Sequence, residues 1–427
     1  MKTTKGMLFL ALTLLAVGGS IFAGGKKQDA PAPGASQFTS KELNITYTGT
    51  PQPAEKEYII DVYVKNFEKQ YGVKVNVDFV TQQDGIRKTE SEQSTKNIIS
   101  DVIYADTAWM APYVNGAWVE DLTGLIHKGI TLTGMYDEST NKGSARLFVP
   151  NTFDVYVLAA NVDALKYLPQ GLTRQSVVDG ITWEQYAEWA VNIAKGEGKG
   201  KTMLPANSQG SQLLYPLGGM GLAYGAKFPE FASDGFKKAL DIVTAIARGN
   251  GFYSEQAQYS APTDPMINGD VWLTFAHMSP IGVAYNAAPN QWVIGAAPKG
   301  SKGAGSISGA WCWGVSKSAP HADLAAAWID YVTTPQVNYE LCTNFGGMLS
   351  PINEVAPLLG SGDVIMAAGS KMLATTIVSG VPSVQYKDWN AVKLLYHDAF
   401  NQVLNTKQVP NDAFLRDLDA KCAALKN

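Results

Sequence analysis

Between residues 42 and 106 the hydrophobic period of the chain switches back and forth between two values, and this alternation limits the fold more than any other feature. In "ELNITYTGT", Leu43, Ile45 and Tyr47 alternate with polar residues, which is the period of a strand. Ile59, Val62, Tyr63, Phe67 and Tyr71 then recur at helical spacing, and Gly72 ends the run as a left-handed C-terminal glycine does. "VKVNVDFV" returns to the two-residue period, with Val73, Val75, Val77 and Phe79 on one face. A polar, helical stretch over 84–99 leads to a short apolar strand over 101–105. Strand, helix, strand, helix, strand is the signature of an α/β lobe with a largely parallel sheet.

The same reading continues downstream. In "LFVPNTFDVYVLAANVDAL" (147–165), Pro150 forbids helix and biases Val149 to extended geometry, so a crossover and a buried strand are expected. "ITWEQYAEWAVNIAK" reads as a helix with a capping box, Thr182 as N-cap and Gln185 three residues on. Residues 233–250, 319–335 and 412–427 read as further amphipathic helices. "NSQGSQLLYPLGGMG" (207–221) reads as a glycine-rich connection. At 427 residues and 46% hydrophobic, the chain is long enough for two core-bearing lobes.

The amino terminus reads as a targeting address. Lys2 and Lys5 flank a cationic start, Met7 to Val17 is apolar, and Ala23 closes an acceptable cleavage site, so residues 1–23 are expected to be a secretory signal peptide. The apolar run falls short of the roughly 20 residues that span a bilayer. No cysteine precedes Cys312, so no lipid anchor is expected and the protein should be soluble and periplasmic. "GGKKQDAPAPGASQ" (24–37) reads as a flexible tether. Without Lys2 and Lys5 the net charge moves from −4 to about −6, which argues against nucleic acid and anionic lipid as partners. Cys312, Cys342 and Cys422 are expected to be small buried apolar residues, although a Cys312–Cys342 bridge is a possible alternative.

Catalytic motifs are absent. "GEGKGKT" (196–202) has Lys195 where a phosphate loop needs glycine, and it follows a helix instead of a strand. "GSISG" (305–309) has isoleucine at the centre of a would-be nucleophile elbow. His127, His277, His321 and His397 are not spaced for zinc, no Cys-x-x-Cys exists, and each histidine reads as ordinary surface or core. No metal, no cofactor and no catalytic residue is expected.

Aromatic and amide groups near strand ends stand in their place. Asp106 and Trp109 follow the strand over 101–105. Asn207 and Gln212 sit in the glycine-rich connection, Trp272 in "NGDVWLTFAHMSPIG" (268–282), and Trp311 in "SGAWCWG" (308–314). Tyr386 and Trp389 precede a helix in "VPSVQYKDWNAVKLLY" (381–396), and Tyr47 lies on the first strand. This chemistry suits a saccharide: indole and phenol rings cover its C–H face, and carboxylates and amides bond its hydroxyl rim. In open α/β sheets the ligand lies beyond the carboxyl ends of strands, where Asp106 is placed. Two stacks and several paired bonds would reach about −8 kcal/mol, a micromolar affinity.

An ordered set of segments, "FEKQYGVKVNV", "DVIYADTAWM…NGAWVEDLTGLI", "VPNTFDVYVLAANVDAL", "TWEQYAEWA", "NGDVWLTFA", "IGAAPKGSKGAGSISGAWCWGVSKSAPHADLAAAWIDYVT" and "GGMLSPINE", resembles the extracellular solute-binding proteins of ABC importers, in the sugar-binding family of maltose- and trehalose-type receptors. The resemblance covers about 41–410. It implies an α/β, two-lobe periplasmic-binding-protein fold with hinge strands and a cleft between lobes. The N-lobe would be 38–148 plus 309–348, the C-lobe 149–308 plus 349–427, with hinges at Val149–Asn151 and Ser308–Trp311. It also implies a monomer that captures a mono- or oligosaccharide and delivers it to the transmembrane subunits of an ABC permease. By the same resemblance, Asp106, Trp109, Trp389 and the 207–215 segment contact sugar. Many relatives carry Gly-x-Trp where this chain has "MSPIG" (278–282), so a stacking platform would be either missing or moved, with Trp272 as its candidate place. The competing readings are a secreted glycosidase, with Asp106 paired to Asp154 or Asp388, a receptor for a non-sugar solute, and a chemoreceptor feeder.

Overall fold

The computed structural model describes residues 38–427 apart from 50, 52, 345–347 and 362–363. The expected signal peptide and tether lie outside the described residues. Five strands form one sheet, in the order Lys74–Val80, Glu42–Thr48, Val102–Asp106, Ala310–Val315, Val149–Phe153. The first three run parallel, and Ala310–Val315 is antiparallel to both of its neighbours. Ile45 pairs with Val77 on one side and Val102 on the other, which keeps the apolar residues on one face. That face, which includes Trp313, packs on Phe67 and Trp328 in a buried core. Gly72 caps its helix in the left-handed conformation, as the sequence predicts.

A second group of strands carries the rest of the molecule. Trp292–Gly295, Tyr156–Asn161, Leu273–His277 and Thr202–Met203 form a four-stranded sheet, and Lys299–Gly300, Gly303–Ser308 and Thr376–Gly380 a three-stranded one. The helix Trp183–Glu197 has the expected capping box and buries Trp183, Tyr186, Ala190 and Ile193 along one stripe. The glycine-rich connection is instead a helix from residue 214 onward: Leu214–Ala223 is buried on every side. Its glycines let its backbone lie against the strand Gly303–Ser308, where a Cβ on Gly305 would come within 2.2 Å of the Gly219 carbonyl. Packing therefore overrides the poor helix propensity of "PLGGMG".

The chain passes between the two groups at three points that lie side by side. Val149–Phe153 belongs to the five-stranded sheet and Tyr156–Asn161 to the four-stranded one, so the first crossing falls at Asp154–Val155. The second falls at Gly309, between Gly303–Ser308 and Ala310–Val315. At the third, Leu349 exchanges backbone bonds with Phe153, 2.8 and 3.0 Å. Ser308 ties two crossings together by donating to the Asp154 carbonyl, 2.6 Å. Cys312, Cys342 and Cys422 are buried free thiols. No helix among the described residues is long and apolar enough to cross a membrane.

Candidate ligand-binding site

A cavity of about 380 Å³ opens where the strand Val102–Asp106 ends, between the five-stranded sheet and the second group of strands. Asp106 closes that strand and turns the chain: its Oδ1 accepts the Ala108 amide at 2.8 Å, capping the short turn Thr107–Trp109. Its register partner across the sheet is Trp311. The Trp311 indole stacks on Tyr104, 5.3 Å and 7°, and Gly49 lies against it. Gly49 has φ +102°, and a Cβ there would come within 2.6 Å of the indole. Asp106, Trp109 and Trp311 all line this wall, and both indoles are only partly buried.

The facing wall comes from the other group of strands. Gln212 and Tyr215 lie at the start of the helix that replaced the expected loop. Tyr215 stacks on Tyr156 at 5.7 Å and meets the His277 ring edge-on at 4.6 Å. His277 ends the strand Leu273–His277, and its Nδ1 sits 2.8 Å from Asp154 Oδ1, an ion pair when the ring is protonated. Lys393, from the helix Trp389–Thr406, is 3% exposed and holds its ammonium 4.9 Å from the centre of the Trp109 ring. Burial pushes the Asp106 carboxyl up to about 6, opposed by the Ala108 amide and by the charges of Lys393 and His277. Burial likewise lowers the Lys393 ammonium, with Asp106 and Asp388 holding it up.

The other expected ligand residues do not line this cavity. Tyr47 is 4% exposed, stacked on Tyr104 at 4.3 Å in the core, because its strand turns that face inward. Tyr386 is buried beside Trp389 and Cys422. Trp272 lies elsewhere, under the Lys201 ammonium at 4.1 Å, so the displaced platform does not pass to it; Ser279 and Pro280 of "MSPIG" reach the cavity instead. Asn207 is spent on its own turn, accepting from the Gly210 amide at 3.1 Å and donating to the Ala257 carbonyl at 3.2 Å. Trp389 packs on Phe228 and Tyr386 and borders a separate cavity of about 130 Å³ on the far side of Trp109.

Lys393 and His277 are the residues that sequence reasoning left out of the site; Tyr215 ends the expected 207–215 segment, and Asp154 entered only as an acid of the glycosidase reading. His277 could have been found by the logic that found Asp106, since both close a strand. Lys393 carries a different signal, a lysine set inside the apolar stripe Trp389, Val392, Tyr396, Phe400. The lining thus offers two carboxylates, one ammonium, one imidazole, two side-chain amides and two indole surfaces. That set can hold a hydroxyl-rich solute by stacking and hydrogen bonding.

The fold recurs in solved structures of low sequence identity. An ABC transporter solute-binding protein from Thermotoga lettingae, bound with α-D-tagatose, superposes with a TM-score of 0.72 at 18% identity, over 90% of this chain and 100% of that one. The cyclic α-maltosyl-1,6-maltose binding protein of Arthrobacter globiformis gives 0.74 at 15%, over 90% and 98%. The sugar-binding protein MalE of Xanthomonas citri gives 0.72 at 18%, over 90% and 97%. No curated protein sequence matches. The model of the bacterial extracellular solute-binding protein family matches residues 62–371, and with that span, in this two-group α/β fold, the chain belongs to that family.

Proposed function

We propose that this protein is the substrate-binding component of an ABC importer, which captures a small carbohydrate and hands it unchanged to the permease. The observation that carries the reading is the pairing of Asp106 with Trp311 at one wall of the cavity, a carboxylate beside an indole platform, facing Gln212 and Tyr215 across the gap. The three similar structures, titled for tagatose, cyclic maltosyl-maltose and sugar, support a saccharide ligand. In this reading the two lobes are 38–148 with 309–348 and 149–308 with 349–427, adjusted so that the first hinge lies at Asp154–Val155. Closure about the three adjacent crossings brings both walls onto the ligand, which shifts the population of a hinged protein toward its closed form. Export by the leader, a periplasmic location and a monomeric state belong to the same proposal.

A thermal-shift series against neutral mono- and disaccharides tests it, because a solute that binds only the native state raises the melting temperature. At least one saccharide should give a saturable rise. A flat response to all of them, with a rise for an amino acid or polyamine, would replace the carbohydrate by another solute. Nitrophenyl glycosides should stay intact: of the two partners for Asp106 in the rival acid pair, Asp154 lies 2.8 Å from His277 Nδ1, and Asp388 caps the helix Trp389–Thr406 by accepting the Ala391 amide at 3.0 Å.

A further inference from the structure

Lys393 and Asp106 face the cavity from opposite walls without pairing. Among the described residues no carboxylate oxygen lies within 4.0 Å of the Lys393 ammonium, and no hydrogen bond engages it, although the residue is 3% exposed. Asp106 spends Oδ1 on the Ala108 amide, while Oδ2 faces the space beside Gly309, where a Cβ would stand 3.4 Å from it and 3.3 Å from the Tyr215 hydroxyl. The two charges are nevertheless close enough for each to oppose the shift that burial imposes on the other. The ammonium of a buried lysine lacks an acceptor, Oδ2 of a half-buried carboxylate lacks a donor, and the two stand more than 4.0 Å apart. Two hydrogen bonds of about 2.8 Å meeting at one atom reach further than a direct ion pair, up to roughly 5.6 Å. A hydroxyl oxygen accepts and donates at the same atom, as few organic groups do.

We propose that one hydroxyl of the ligand bridges Lys393 and Asp106, accepting from the ammonium and donating to the carboxylate, so that Lys393 is a ligand-binding residue and the bridge fastens one lobe to the other. This rests on the saccharide reading and deepens it. The helix Trp389–Thr406 delivers the ammonium, the strand Val102–Asp106 the carboxylate, and the Trp109 ring holds the ammonium in place from beneath. Gly309 keeps the space beside Asp106 Oδ2 and the Tyr215 hydroxyl open. The ligand must carry an unsubstituted hydroxyl at one position: fluorine or a methoxy group there still accepts from Lys393 but has nothing to donate to Asp106.

The test is calorimetric titration of the full chain with the saccharide that gives the largest thermal shift, and with its monodeoxy and monofluoro analogues. Lys393→Met and Asp106→Asn should each weaken binding roughly 10- to 100-fold. The double variant should be little weaker than the worse single one, because either change breaks the same bridge. One hydroxyl position should exist at which fluorine costs the wild type a similar factor and costs Asp106→Asn almost nothing. Binding by Lys393→Met within about threefold of wild type, or losses that multiply in the double variant, would overturn the bridge and leave the saccharide reading standing. If Lys393→Met does not fold, the analogue series on the wild type decides: equal tolerance of fluorine at every position overturns the bridge. No heat with any saccharide overturns the saccharide reading, and the bridge with it.

Discussion

A carboxylate whose folded pKa is raised by burial opposes folding whenever it is charged. Asp106, pushed up to about 6, therefore favours the folded state fully below the ordinary carboxylate range and loses that contribution as pH rises through 6. Replacing it by asparagine should raise the melting temperature at pH 8 relative to wild type, with the difference fading by pH 4, as read by calorimetric melts across that range. The same change should weaken saccharide binding at least about tenfold, since an ionised acceptor makes the stronger hydrogen bond. In the wild type, affinity should be full above pH 6 and fall below it, as protonation removes the acceptor. A carboxylate kept at a thermodynamic cost is the mark of a functional position. That Asp106, Trp109, Gln212 and Trp311 share one cavity was legible because each lies at or just beyond a strand end or loop that the sequence marks. Lys393 was not, because its place in the cavity depends on how the helix Trp389–Thr406 meets a turn almost 300 positions earlier, a contact that no local pattern encodes.

At the scale of elements, the amino end of the helix Trp389–Thr406 departs most from expectation. From sequence, Trp389→Ala should weaken binding tenfold and leave the fold intact. In the structure the indole is 3% exposed between Phe228 and Tyr386. Its truncation should instead cost about 3 to 5 kcal/mol of stability, visible as a lower urea midpoint. The turn after Glu42–Thr48 is the second case. Gly49→Ala puts a Cβ both at φ +102° and against Trp311, so roughly 1 to 3 kcal/mol should be lost and the platform displaced. Urea unfolding and saccharide titration of the same variant measure both effects. Elements with strong local signals were legible, such as the Gly72 cap and the Thr182–Gln185 box. Leu214–Ala223 was not, because its glycines and Pro216 speak against a helix, and only the strand it packs on makes them useful.

For the molecule as a whole, the sequence carried the alternation that makes an α/β lobe, and the order of its segments carried the family. Which residues face one another across the cleft was beyond it, since that depends on three crossings converging near Phe153, Gly309 and Leu349. The cavity sets two carboxylates, Asp106 and Asp154, against the Lys393 ammonium, with the His277 ring beside Asp154, so it carries charge of both signs. A neutral saccharide should therefore bind more tightly than the matching uronic acid or amino sugar, by about tenfold, in side-by-side titrations. The most direct measurement is diffraction from crystals grown with the saccharide that stabilises the protein most. The predicted result is sugar density in the cavity, one ring against the Trp311 indole and a hydroxyl within hydrogen-bond reach of Asp106. Density bound only elsewhere on the surface, with that cavity holding nothing but solvent, would contradict it.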